Sequence, residues 1–162
     1  MAGSAPTLRL LSPRELGAWR GLLRAHARLV KALDAELEAE HGLGVTTYEV
    51  LLYLNDSPEG RLRMHDLASS VLLSRSGLTR LVDRLERDGL LERQSCESDA
   101  RGSFAVLTEA GRARLSEARA THLDGVRRHF LNHLSDDELD QLGAIWDRVL
   151  PEGQRSSAGP TC

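Results

Sequence analysis

Two short amphipathic segments in close succession constrain the fold of this 162-residue chain more than any other feature. Between Arg75 and Asp88 the apolar residues recur at the i, i+3, i+4, i+7 spacing of one buried helical stripe. Ser74 stands just before this segment, where its hydroxyl can accept from an orphan backbone N–H as an N-cap. The pattern predicts a helix-turn-helix with inward residues Met64, Leu67, Ala68 and Val71 in the first helix and Leu78, Leu81, Val82 and Leu85 in the second.

A β-hairpin is predicted directly after the second helix. Gly89 ends that helix as a C-cap glycine, and two short strands follow at Leu90–Ser95 and Ser103–Leu107. The connection between the strands is polar, with Gly102 at the turn. A short strand at Arg61–Arg63 can pair with this hairpin.

The surface of this unit suits DNA. The N-terminal half of the second helix is hydroxylic and cationic, as base edges and phosphates require. An arginine at a hairpin tip can enter a narrow minor groove, where the negative potential is strongest. A solvated amphipathic helix is the simpler interpretation of the helix alone, but its place beside a hairpin favours DNA binding. The residues predicted to contact DNA are Ser74, Arg75, Ser76, Thr79, Arg80 and Arg84 on the helix and Asp99 and Arg101 at the hairpin tip.

Four motifs occur here in a fixed order. They are SGLTRLVDRLE at Ser76–Glu86, then Gly89-Leu90-Leu91-x-Arg93, Asp99-x-Arg101 and Leu107-Thr108-x-x-Gly111. The ordered set resembles the recognition helix and wing of MarR-family transcriptional regulators. Ala100 departs from the pattern, since many members carry a second arginine there. The resemblance implies a mainly α winged helix-turn-helix with a small β-hairpin wing and with N- and C-terminal dimerisation helices.

The remaining chain is predicted to form the dimerisation helices. Apolar residues recur every seven positions from Leu16 to Leu37, a stripe wide enough to pack partly on a second subunit. We expect one MarR-like domain with a flexible tail on each side. The predicted ranges are 1–11 and 152–162 for the tails, 12–151 for the domain, 46–108 for its DNA-binding lobe, and 12–41 and 109–151 for the dimerisation helices.

Residue pairs typical of capping boxes predict where three helices begin. These pairs are Ser12 with Glu15, Thr46 with Glu49, and Ser135 with Glu138. Thr108 is predicted to cap a further helix that runs to about His133.

The resemblance also implies a mechanism. A homodimer presents two recognition helices to successive major grooves, about 34–36 Å apart, and so reads a pseudo-palindrome in double-stranded DNA. The charge distribution is consistent with this, because residues 61–114 carry 10 basic and 8 acidic residues and the remainder carries 11 and 16. Repression by steric blocking is the mode that the resemblance implies. An effector-independent regulator, an activator and a helical protein-interaction module are the alternatives.

A sensory pocket is a further expectation. Trp19, Arg20, Arg24 and His26 are predicted to line a site for a small aromatic or anionic effector, since family pockets lie between the dimer helices and the DNA lobe. The alternative is that Trp19 belongs to the core.

Two other features allow a sensing role, each with a simpler explanation. His129 and His133 stand four residues apart near a predicted helix end, where zinc sensing competes with the ordinary preference of histidine for helix C-termini. Cys96 in the predicted wing is either a redox switch or a bystander thiol, and the second is the simpler interpretation.

Several function classes are disfavoured. The sequence contains no glycine-rich phosphate loop, nucleophile elbow or metal-ligand constellation, so neither enzyme activity nor a bound metal or cofactor is predicted. There is no run of about 18 apolar residues and no signal-peptide pattern, so a membrane span or secretion is not expected. Two cysteines do not make a disulfide framework, and we expect a cytoplasmic protein.

Overall fold

The computed structural model describes residues 9–71, 73–96 and 99–150, without the side chains of residues 96 and 99–102. Over this part of the chain, helices and strands follow one another in the order predicted for a winged helix-turn-helix. Short 3-10 turns lie at Pro58–Gly60 and Leu131–His133. The helices are α1 (Pro13–His41), α2 (Val45–Asp56), α3 (Met64–Ser70), α4 (Arg75–Arg87), α5 (Glu109–His129) and α6 (Asp136–Val149), and the strands are β1 (Arg61–Arg63), β2 (Leu91–Cys96) and β3 (Asp99–Leu107).

The strands form one antiparallel sheet in the order β1–β3–β2. Leu91 in β2 lies opposite Leu107 in β3, and Arg61 in β1 lies opposite Val106. The predicted hairpin and the predicted third strand are therefore confirmed. The predicted bounds of the second hairpin strand are wrong, because β3 begins at Asp99 and not at Ser103, so Gly102 lies within the strand and not at the turn. The fold is mainly α with a small β wing, as the resemblance implies.

The core is centred on α2. Tyr48, Leu51 and Leu54 have no exposed surface, because α1, α3, α5 and the sheet all pack around this helix. The apolar stripe predicted for α4 packs in this core. Its buried members are Leu78, Val82 and Leu85, and Leu81 is partly buried.

The first turn of α5 packs closely against the wing at a glycine, Gly111. Thr108 caps α5 by accepting a hydrogen bond from the backbone N–H of Gly111 at 3.1 Å, and its hydroxyl donates to the carbonyl of Gly89 at 2.7 Å. A Cβ atom on Gly111 would overlap the carbonyl oxygen of Leu90 and the side chain of Leu107. The first turn of α5 therefore lies directly on the backbone that leads into β2, and a residue without a side chain is required there.

The predicted start of α2 is wrong by two residues. The helix begins at Val45 with Gly44 as its N-cap, so Thr46 lies inside the helix and forms no capping box with Glu49. The backbone N–H of Val45 instead donates to Oδ1 of Asp34 at 2.8 Å. A carboxylate from α1 thus caps α2, while the capping boxes predicted at Ser12 and Ser135 are both confirmed.

The predicted end of α5 is also wrong. We expected this helix to reach about His133, but it ends at His129 because Phe130 adopts φ −134° and ψ −68°, outside the helical region. The chain then makes a 3-10 turn before α6.

Apolar side chains remain uncovered on the two terminal helices. α6 buries none of its residues although Leu142, Ile145 and Val149 share one side of it. On α1, Trp19 is 52% exposed, so its alternative assignment to the core does not hold within this chain. None of the described helices combines the length and apolarity that crossing a bilayer requires.

Candidate nucleic-acid interface

One side of α4 is buried in the core, and the opposite side faces solvent. Leu78 and Leu85 are each 1% exposed, so this side of the helix faces the core. The 3.6-residue period then turns one row of side chains to solvent. This row consists of Ser76, Thr79, Arg80, Asp83 and Arg87, and each of them is exposed.

The first turn of α4 is organised by hydroxyl groups. Ser74 Oγ accepts from the backbone N–H of Gly77 at 3.1 Å and lies 3.3 Å from Ser76 Oγ. Thr79 Oγ1 donates to the carbonyl of Arg75 at 2.9 Å. Ser74 therefore has a structural role as the N-cap, and Thr79 keeps its lone pairs for an incoming donor.

Two arginines of the exposed row bend back along the helix. Arg80 Nε donates to the carbonyl of Ser76 at 3.4 Å, and Arg87 Nε donates to the carbonyl of Asp83 at 3.2 Å. These bonds use the Nε atoms and do not engage the terminal nitrogens of either guanidinium. Such nitrogens can form the bidentate contacts that guanine and phosphate accept.

Arg84 lies apart from this row. Its Nη2 donates to Oγ1 of Thr47 at 3.2 Å, and Thr47 is only 3% exposed on α2. The structure therefore places Arg84 on the flank that faces α2, where it links two helices of the lobe. A direct contact from Arg84 to DNA stays a prediction.

The predicted hairpin tip lies at the start of β3. Asp99 and Arg101 belong to that strand, but their side chains lie outside the described part of the structure. Cys96 is the last residue of β2, and its side chain is likewise not described. Their proposed roles in minor-groove contact or redox sensing stay predictions.

Arg93 of β2 is a residue of this surface whose role the sequence did not suggest. Its guanidinium bonds Asp83 Oδ1 at 2.6 Å and Glu86 Oε2 at 2.7 Å, both on α4. In the sequence, Arg93 is recognised only as the arginine of the Gly89-Leu90-Leu91-x-Arg93 motif, and no role is predicted for it. The acidic side chains that it meets come close because β2 runs back alongside α4 after the turn at Gly89, where φ is 72°.

Comparisons with known proteins agree with this geometry. A model described as MarR family matches residues 41–102, which include α2 to α4. The HTH-type transcriptional regulator YkoM of Bacillus subtilis (strain 168) is 33% identical over 124 residues, covering 75% of this chain and 79% of that protein. The chain belongs to the MarR family of transcriptional regulators.

Two other relatives support the assignment. Sco3205, a MarR family transcriptional regulator from Streptomyces coelicolor whose crystal structure is in complex with DNA, is 35% identical with a TM-score of 0.84, covering 96% of this chain and 98% of that one. The HTH-type transcriptional repressor YetL of Bacillus subtilis (strain 168) is 30% identical over 115 residues, or 68% of each protein. These relatives are transcriptional regulators and not enzymes, so the function class of this MarR-family chain is regulation.

The predicted effector residues of this MarR-family chain lie along the N-terminal half of α1. Trp19, Arg20, Arg24 and His26 are all exposed there. His26 lies near Glu49 of α2, whose pKa is raised because neighbouring protein atoms displace water from its carboxyl group, although the residue keeps an exposed edge. The histidine charge opposes this rise. The structure thus brings His26 to the α1–α2 boundary and leaves the other three on the outer surface.

The two histidines considered for zinc binding, His129 and His133, lie in different elements and have different surroundings. His129 Nε2 lies 2.7 Å from Oε1 of Glu36, which also accepts from Arg128 at 2.6 Å. The hydrogen bond to His129 is the main reason that the pKa of Glu36 is lowered. His133 lies beyond the helix in the 3-10 turn, and the described residues contain no group of three or more metal-ligating side chains. His129 therefore joins α1 to the end of α5.

Proposed function

We propose that this chain is a sequence-specific double-stranded DNA-binding regulator that acts as a homodimeric repressor of a pseudo-palindromic operator. The observation that carries the proposal is the exposed row of Ser76, Thr79 and Arg80 on a helix whose opposite side is buried in the core. The DNA complex of Sco3205, which shares the fold at 35% identity, supports the same use of this face.

The uncovered helices support a dimer. A 14-residue helix with no buried residue is marginal in water by itself, because helix stability comes mainly from packing an apolar face. Burying each large apolar side chain of α6 and of the outer half of α1 contributes about 1.5–3 kcal/mol. A second copy of the chain offers the same uncovered faces of α1 and α6, so the two copies can cover these faces mutually.

Charge favours the contact of α6 with α1 of a second copy. Five acidic residues and one basic residue lie in α6, whereas Arg20, Arg24, Arg28 and Lys31 follow one another along the exposed surface of α1. Opposite charges at the rim of an interface steer association and favour one pairing over others.

In such a dimer the two copies of α4 lie about one helical turn of DNA apart and enter successive major grooves. Occupation of an operator then blocks transcription sterically. The relative YetL is named a repressor, which supports this direction of control.

An effector that shifts the spacing of the two α4 helices would release the DNA. We assign the effector site to the edge of this dimer contact, where Trp19, Arg20, Arg24 and His26 supply cations and an indole that fit a small aromatic or anionic molecule. We also expect this regulator to act in the cytoplasm.

Fluorescence anisotropy tests the proposal. The purified protein is titrated into a labelled duplex from the region upstream of its own coding sequence and into a scrambled duplex, each over a salt series. We expect tighter, salt-sensitive binding to the native duplex. Equal weak binding to both duplexes would argue for an operator elsewhere or for a required effector, and no binding at low salt would leave the interaction-module alternative.

A further inference from the structure

We propose that Arg93 is a positioning residue, which fixes the rotation of the recognition helix α4 against the wing, and that it is not a contact to the DNA backbone. An arginine on a wing strand would ordinarily be expected to bind phosphate. The inference rests on the proposed function, because it assigns a role in the reading of DNA by α4.

The bonds of Arg93 reach three successive points along one side of α4. Its guanidinium donates to the carbonyl of Thr79 at 3.4 Å, to Asp83 at 2.6 Å and to Glu86 at 2.7 Å. Positions spaced i, i+4 and i+7 cover about two helical turns. Anchoring one side of a helix at both turns restrains its rotation about its own axis as well as its distance from the wing.

Glu86 is held at both carboxylate oxygens. Oε2 accepts from the Arg93 guanidinium, and Oε1 accepts from the Arg93 backbone N–H at 3.1 Å. The backbone bond places the strand itself, and not only the tip of a long side chain, in register with the helix. Arg93 is also the less exposed partner, with 28% of its side chain accessible against 50% for Asp83.

This anchoring bears on sequence specificity, because the rotation of α4 sets the direction in which the exposed row of side chains faces. Asp83 belongs to the same outward row as Ser76 and Arg80. A helix free to rotate by a few tens of degrees would carry the Arg80 guanidinium away from the base edge that it reads. Arg93 also neutralises carboxylates that would otherwise face the phosphates unpaired.

Replacement by lysine separates the two possible roles. Lysine keeps the positive charge, which is what a phosphate contact chiefly needs, but it lacks the planar fork that binds several acceptors at once. The matched control is Arg127→Lys, because Arg127 pairs with Asp124 at 3.2 Å on the exposed surface of α5.

The experiment combines two measurements on Arg93→Lys, Arg127→Lys and the parent protein. Anisotropy over a salt series gives the affinity for the native and scrambled duplexes and the salt slope. Hydrogen–deuterium exchange of the protein without DNA reports on the amides of residues 79–87.

We expect Arg93→Lys to reduce the preference for the native duplex about tenfold with an unchanged salt slope. We also expect faster exchange in α4 and unchanged exchange in α2, with the control like the parent. Unchanged preference, an equal loss on both duplexes, or unchanged exchange in α4 would each overturn the proposal. The exchange measurement needs no DNA, so a failure of the proposed function would appear separately, as absence of binding by the parent protein.

Discussion

Single residues of α4 differ in their surroundings, and these differences lead us to expect the main DNA contact from Arg80. It lies at the centre of the exposed row, and its bond to the backbone of Ser76 uses Nε and does not engage the terminal nitrogens of the guanidinium. Arg84, one turn later, is engaged with Thr47 instead. Two arginines four residues apart thus have different surroundings, because Arg84 lies about 40° further round the helix, on the side toward α2.

Replacement of Arg80 by alanine should weaken binding to the native duplex by about 1–3 kcal/mol and blur base preference, as loss of a base-reading arginine does. Anisotropy against native and scrambled duplexes measures both effects. Arg127→Ala is the control, because Arg127 lies on α5. Retention of both affinity and preference would show that α4 is wrongly placed on the DNA.

At Gly111, an alanine side chain would overlap the Leu90 carbonyl, which is backbone and cannot move aside cheaply. We expect Gly111→Ala to lower the free energy of unfolding by about 1–3 kcal/mol, as overpacking of a tight contact does. Urea denaturation measures this. Gly17→Ala is the control, since nothing lies near a Cβ atom there, and equal stability of the two variants would contradict the expectation.

Between elements, the sequence predicted local contacts well and distant ones poorly. The capping boxes at Ser12 and Ser135 lie within four residues, so pattern alone predicted them. The cap of α2 comes from Asp34, eleven residues earlier on another helix, and only the packing of α1 on α2 brings it there. The bonds of Arg93 to α4 likewise need the strand to fold back, which motif spacing does not reveal.

The contact of α2 with α5 should depend on pH. Tyr48 and His122 stack with ring centroids 4.3 Å apart, and burial lowers the pKa of His122. The unfolded chain takes up this proton near the ordinary value of about 6.5, while the folded chain does not. Protons therefore favour the unfolded state, and this contribution lowers stability as the pH falls below that value.

His122→Phe keeps an aromatic ring against Tyr48 and removes the titration. We expect the free energy of unfolding to fall less between pH 7 and pH 5 in this variant than in the parent protein, by urea denaturation. Identical pH dependence of the two proteins would show that His122 takes up its proton equally in the folded and unfolded states.

For the whole molecule, the uncovered apolar faces matter more than any one contact. The sequence predicted a stripe on the first helix too wide for one chain, and the structure leaves Trp19, Leu23 and Val30 exposed along it. No pattern in a single sequence shows which surface of a second copy covers them. The pairing of the basic stretch Arg20–Lys31 of α1 with acidic α6 is therefore a proposal from charge and exposure.

A charge placed on the apolar side of α6 should separate the subunits. We expect Ile145→Glu to shift the protein toward the mass of one 17.8 kDa chain in light scattering coupled to gel filtration, because burying an unpaired carboxylate costs several kcal/mol. Ala144→Glu adds the same charge on the opposite side of the helix and should remain dimeric. A dimeric Ile145→Glu protein would place the interface elsewhere.

In the proposed dimer, the uncovered side of α6 would also set how the regulator responds to its own abundance. Assembly of two chains before binding makes operator occupancy rise with the square of chain concentration wherever free chains predominate and the operator is far from saturated. A halving of expression would then reduce occupancy about fourfold in that range. The helix that buries nothing within its own chain would thus convert a gradual change in protein level into a sharper change in transcription.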